Sequence, residues 1–146
     1  MERVSTAVWQ GDGKTGSGAL SLQSGVLKDQ PYSFNSRFID PAGKAGTNPE
    51  ELLAAAHAGC FAMALAFKLA AAGFKPRQLR ARATVKMGMI DGEQAITGID
   101  LDVQADVPGI DAPKLQAIAE DAKSHCPLSK ALAATPIGLT AALGPA

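Results

Sequence analysis

The stretch TNPEELLAAAHAGCFAMALAFKLAAAG, residues 47–73, limits the fold more than any other part of the chain. Its punctuation is that of one long helix. Thr47 or Asn48 can cap it, Pro49 suits the first turn, and Glu50 and Glu51 oppose the positive end of the helix dipole. Gly73 stops it, and Pro76 follows shortly after. Between Leu52 and Phe67 the helix is apolar almost all the way round, so it should be buried on most sides. That segment is shorter than the about 20 residues of a bilayer span, is rich in alanine and contains His57, which favours a core helix. A chain of 146 residues has few elements with which to cover it, and a partner subunit is a reasonable way to finish the burial.

Alternating polar and apolar residues place strands on both sides of this helix. Residues 3–9 (RVSTAVW) and 18–22 (GALSL) alternate and enclose QGDGKTGSG, the pattern of a hairpin with a glycine-rich turn. Residues 25–38 (GVLKDQPYSFNSRF) read as loop or short edge strand, with Tyr32, Phe34 and Phe38 spaced among polar groups. Residues 79–90 (LRARATVKMGMI) and 95–107 (AITGIDLDVQADV) read as a long hairpin turning at Asp91-Gly92. Asp111 caps a helix through about Ser124, Cys126-Pro127 begins a further short helix, and 136–143 (PIGLTAAL) supplies a closing strand. Strands bracket helices without a regular βαβ alternation, which predicts an α+β fold in a single domain, 1–146.

Charge and leader sequence narrow the function. The 14 basic and 14 acidic side chains cancel, and no basic stripe is visible, so nucleic acid is not an expected partner. MERVSTAVWQ has no apolar stretch after its arginine and is not a secretory signal; the expected location is the cytoplasm, with no membrane partner. In that reducing compartment the two cysteines suit catalysis, redox sensing or metal binding better than a structural staple. No P-loop, dinucleotide fingerprint or G-x-S-x-G elbow is present.

Each candidate for chemistry has an ordinary structural role as its rival. Cys60, deep in the apolar helix, is either a small core hydrophobe or a nucleophile. Cys126 precedes Pro127 at a helix start, where backbone N–H groups would favour its thiolate. Only the fold can bring the two together across the intervening chain. Arg37, set among aromatic residues, would lower the pKa of a nearby thiol. Glu50 would orient such an arginine; on one helix it lies about 15 Å of rise and about 80° from Cys60, too far to touch it directly. His57, three residues before Cys60, fits an imidazolium partner, a ligand or a hydrogen-bonded core histidine. His57, Cys60, His125 and Cys126 could together hold zinc, but adjacent His125 and Cys126 are awkward co-ligands and no C-x2-C spacing is present.

GTNPEELLAAAHAGCFAMAL at 46–65 and CPLSKAL at 126–132 closely resemble the OsmC/Ohr family of bacterial thiol peroxidases. SGVLKDQPYSFNSRF at 24–38 and VPGID at 107–111 resemble the osmotically inducible (OsmC) branch more than the organic hydroperoxide resistance (Ohr) branch. The resemblance implies that Cys60 is the peroxidatic cysteine, Cys126 the resolving one, Arg37 the activator of the thiolate and Glu50 its orienting carboxylate. It implies an antiparallel sheet packed with a long central helix in an intertwined homodimer, with active sites at the subunit interface. It further implies reduction of organic hydroperoxides, and of hydrogen peroxide, in oxidative and osmotic stress defence. The reductant would be a dithiol, by family analogy a dihydrolipoyl group on another protein, and no metal or nucleotide cofactor is needed. The competing readings are a metal-binding module and a non-catalytic dimeric binding protein with an apolar pocket.

Overall fold

A computed structural model describes residues 1–145 and divides into two compact units, one ending at Leu52 and the other beginning at Leu53. In the first, β1 (Ser5–Gln10), β2 (Ser17–Leu22) and β3 (Gln30–Ser33) form an antiparallel sheet in the order β1-β2-β3. The expected hairpin is therefore β1-β2, and the expected edge strand is β3. The β1-β2 turn is tied by Asp12, whose carboxylate takes hydrogen bonds from the Thr15 hydroxyl and from the Thr15 and Lys14 amides; its pKa falls to about 2. Gly18 leaves space for the Tyr32 ring to lie against β2, because a Cβ there would collide with it.

The chain then takes a single π-helical turn, Asn35–Ile39, before the first residues of α1 (Pro49–Ala71). Between them Asp40 gathers the amides of Ala42, Lys44 and Ala45 on its carboxylate, which holds its pKa below the ordinary value. Pro31 O accepts from the Thr47 amide at 3.2 Å, and the Ser36 hydroxyl bonds Thr47 O at 3.0 Å. Asn48 is the cap, accepting from the Glu51 amide at 2.8 Å, while Thr47 donates to the Glu51 carboxylate at 2.8 Å.

The second unit holds the rest of α1, β4 (Gln78–Ile90), β5 (Glu93–Asp106), α2 (Ala112–His125), α3 (Pro127–Ala131) and β6 (Ile137–Leu143). β4 and β5 are the expected long hairpin, turning at Asp91 and Gly92 with φ of 52° and 84°. β6 pairs with β5 in parallel, so this sheet is mixed. Parallel neighbours need a crossover, and α2 and α3 supply it. Ile99, Leu101, Val103 and Ala105 of β5 are buried, while Asp102 and Gln104 face out, as a sheet covered on one face requires.

Phe61, Leu65 and Leu69 of α1 join Leu115, Ile118, Ala119 and Ala122 of α2 over Leu101, Val103 and Ala105 of β5. Each such large side chain contributes roughly 1.5–3 kcal/mol on removal from water. α1 buries this one stripe, His57-Phe61-Leu65-Leu69, at four-residue spacing. Burial on most sides is not achieved by one copy, because a three-stranded sheet and α2 cover one side only. Met63 remains 64% and Phe67 71% exposed. At 23 residues α1 is long and apolar enough to cross a membrane by length and composition, but its stripe is committed to the core.

Candidate active site

The two cysteines come from different elements of the second unit. Cys60 lies beside Phe61 on α1 and is half-buried; Cys126, at the junction of α2 and α3, is fully buried. The polypeptide arrives there because Asp111 starts α2, accepting from the Lys114 amide at 2.8 Å, and Pro127 prevents α2 from continuing. The sulfur atoms meet at 3.1 Å, a hydrogen bond between positions 66 residues apart. Both thiols are free.

One proton shared between two sulfurs makes their ionisation interdependent. Burial opposes ionisation of Cys60 and raises its pKa; the Leu128 amide works the other way, and the neighbouring Cys126 raises it further. Burial also opposes ionisation of Cys126, but the Ser129 amide, the Cys60 thiol, the Ser129 hydroxyl and the Leu128 amide together bring its pKa below the ordinary value. Of the two thiols, Cys126 is the more readily ionised, at the helix start where backbone donors were expected. Cys60 needs a cation to hold its charge.

His57 is fully buried, and its Nε2 lies 2.9 Å from the Ser129 hydroxyl. Desolvation lowers its pKa, so the imidazole is neutral near pH 7. It is a hydrogen-bonded core histidine rather than an imidazolium partner of Cys60. His125 is exposed, with Nδ1 2.8 Å from Asp121 O and 3.0 Å from the Asp121 carboxylate. Among the described residues no three His, Cys, Asp or Glu side chains converge as metal ligands.

Arg37 and Glu50 meet within the first unit. The π-helical turn carries Arg37, and the bonds of Pro31 and Ser36 to Thr47 fix it beside the first turn of α1. Arg37 Nε donates to both Glu50 carboxylate oxygens, at 3.2 and 3.1 Å, and its terminal nitrogen to one of them at 2.6 Å. A forked contact of this kind fixes the plane of the guanidinium as well as its position. Its Cζ lies 4.8 Å from the Phe38 ring centroid, a cation–π contact. Around it Trp9, Tyr32, Phe34 and Phe38 line a hollow of about 260 Å³. Trp9 and Tyr32 are 5.2 Å apart by ring centroid, and Trp9 Nε1 donates to Gly11 O at 3.1 Å.

Trp9 and Ser129 were not singled out from the sequence. Trp9 occupies a strand position with no feature of a site until β1 and β3 are seen flanking β2. Ser129 falls three residues after Cys126, a spacing that could have marked it as a side-chain neighbour at a helix start.

A family model described as OsmC-like protein matches residues 41–140. The peroxiredoxin OsmC of Escherichia coli (strain K12) is 49% identical over 134 residues, 92% of this chain and 92% of that protein. An organic hydroperoxide resistance protein of Xanthomonas axonopodis pv. citri is 36% identical over 96 residues, 65% of this chain and 66% of the relative. The crystal structure of the organic hydroperoxide resistance protein OhrB of Bacillus subtilis superposes with a TM-score of 0.71 at 26% identity, covering 97% of this chain and 98% of that one. The α+β fold is theirs, and the higher identity lies on the side that residues 24–38 indicated. By the extent of these matches, the chain belongs to the OsmC-like protein family.

Proposed function

We propose that this chain is a thiol-dependent peroxidase that reduces organic hydroperoxides, with Cys60 as the attacking thiolate and Cys126 as the resolving thiol. The observation that carries this reading is the 3.1 Å contact between the two sulfurs. The names of the relatives, a peroxiredoxin and organic hydroperoxide resistance proteins, support it. An electron pair of the Cys60 thiolate attacks a peroxide oxygen, the O–O bond breaks, and the departing alkoxide takes up a proton to leave as an alcohol. Cys60 is thereby oxidised to a sulfenic acid. The Cys126 thiolate then attacks the Cys60 sulfur, hydroxide leaves as water, and a disulfide forms. A dithiol reduces it in two exchange steps and is itself oxidised to a disulfide.

To Arg37 we assign the positive charge that Cys60 needs, and to Glu50 the orientation of that guanidinium. The cycle uses no metal or nucleotide. The finer reading is of one functional domain, 1–146, acting as a homodimer in the cytoplasm in stress defence, with a lipoylated protein as reductant and hydrogen peroxide as a second substrate.

The test is consumption of an organic hydroperoxide with a dithiol as reductant, followed by peptide mapping without reduction. Turnover with an intramolecular 60–126 disulfide is the expected result. No consumption, or oxidation chiefly to cross-linked dimers, overturns the two-cysteine cycle.

A further inference from the structure

A disulfide offers two sulfurs to its reductant, and the fold makes these two unequal. Cys126 is 0% exposed and belongs to the core cluster that holds Phe61, Leu65, Leu115 and Ala122. Its backbone is pinned on both sides: its amide donates to Lys123 O at 3.3 Å, and its carbonyl accepts from the Lys130 amide at 3.0 Å. Bringing its sulfur to the surface would mean opening a close-packed core and parting these bonds. Cys60 is only half-buried and packs against the same cluster from its edge. On α1 it stands between the buried line of His57 and Phe61 and the exposed line of Ala56, Gly59 and Met63. A Cβ at Gly59 would meet nothing within 4 Å, so the flank beside Cys60 is open. Any approach from solvent to the pair of sulfurs therefore ends on Cys60.

Thiol–disulfide exchange is a displacement at sulfur, and its outcome depends on which sulfur is attacked. The entering thiolate, the attacked sulfur and the departing sulfur lie on one line. In the reduced chain the sulfurs stand 3.1 Å apart, so closure to a bond needs a shift of only about 1 Å and keeps Cys60 outside Cys126. A thiolate entering from solvent meets Cys60 first, with Cys126 behind it; the converse line runs through the core. We propose that the reductant attacks Cys60, so that the mixed disulfide forms on the peroxidatic cysteine and Cys126 departs as the leaving thiolate. The proposal rests on the two-cysteine peroxidase reading and gives the reductive half of its cycle a direction. In the first exchange an electron pair of the reductant thiolate bonds to the Cys60 sulfur, the Cys60–Cys126 bond breaks, and its pair leaves on Cys126. In the second, the reductant's other thiolate attacks the reductant sulfur of the mixed disulfide, and Cys60 leaves as a thiolate. The dithiol gives up two electrons and becomes a disulfide, and its two protons, passed through water, balance the two protein thiolates. Peroxide and reductant thus approach one atom by one route, and Cys126 meets neither.

Sulfite tests this, because it cleaves a disulfide by adding to the attacked sulfur as an S-sulfonate and releasing the other as a thiolate. The full chain is oxidised with an organic hydroperoxide and exposed briefly to sulfite or, separately, to mercaptoethanol. It is then quenched in acid, freed of reagent, alkylated and peptide-mapped. The sulfonate or mercaptoethanol adduct should lie on Cys60 and the alkyl group on Cys126, about tenfold or more over the reverse. The same oxidised chain unfolded in urea should lose this preference, because the fold and not the local sequence imposes it. Predominant labelling of Cys126, equal labelling of both, or the same preference in the unfolded chain overturns the proposal. If the hydroperoxide closes no disulfide, the peroxidase reading fails. Diamide, which oxidises thiol pairs directly, then supplies the 60–126 disulfide, and the labelling still decides which sulfur is attacked. Failure to close with diamide as well overturns both.

Discussion

A thiolate is stabilised by what surrounds it, and Cys60 and Cys126 have unequal surroundings. Cys60 on α1 is penalised by burial and by its neighbour, whereas Cys126 collects the amides of Leu128 and Ser129. Division of labour follows. Cys60→Ser should abolish turnover, and Cys126→Ser should permit one oxidation and then accumulate sulfinic acid at Cys60, both visible by peroxide assay and mass spectrometry. Arg37→Ala should raise the pKa of the Cys60 thiol further and slow its first oxidation about tenfold or more, one pKa unit being about 1.4 kcal/mol. Glu50→Ala should fall between Arg37→Ala and the unaltered chain, and His57→Asn should change that step least; alkylation rate against pH orders the three. His57 also affects stability. Its pKa is lowered on folding from 6.5, so the unfolded chain binds a proton that the folded chain refuses. Its stabilising contribution is complete above about pH 6.5 and is lost as pH falls below that value. Urea titrations between about pH 7.5 and 5.5 should therefore show a shallower decline for His57→Gln than for the unaltered protein.

The elements that position these side chains depend on local devices of modest strength. Asp111 caps α2 through the Lys114 amide, and α2 delivers Cys126 to Cys60. Asp111→Ala should cost about 1 kcal/mol, seen as a lower urea midpoint with an unchanged slope. Such devices are also why so much of the fold was legible in the sequence. Asn48, Pro49 and Gly73 delimit α1, Asp91-Gly92 turns the long hairpin, and Asp111 with Pro113 opens α2. Illegible features are those fixed by distant parts of the chain. The partner and direction of β6 depend on where the crossover returns it, and nothing in PIGLTAAL encodes a parallel neighbour. A π-helical turn has no residue signature, so the segment bearing Arg37 read only as loop or edge strand. The candidate site divides in the same way. Cys60, Cys126, Arg37 and Glu50 stand in recognisable motifs, whereas Ser129 acquires significance only when His57, 72 residues away, is seen against it.

In the whole molecule the unfinished feature is the outward side of α1. A single chain leaves Met63 and Phe67 largely exposed on a helix long and apolar enough to have crossed a membrane. A second copy placed over that side would remove them from water, each gaining roughly 1.5–3 kcal/mol at full burial. Sedimentation equilibrium at micromolar concentration should give a dimer, and Phe67→Glu should shift it toward monomer. A stable monomer in the unaltered protein would count against association.

Were a second copy to finish the core, the stability of the chain would rise with its own concentration. Scarce chains would spend more of their time unpaired, with Met63 and Phe67 presented to proteases and quality control, and would be cleared sooner. Abundant chains would protect one another. The steady amount of protein would then climb more steeply than its rate of synthesis, so that a graded rise in production yields a sharper, threshold-like rise in active molecules.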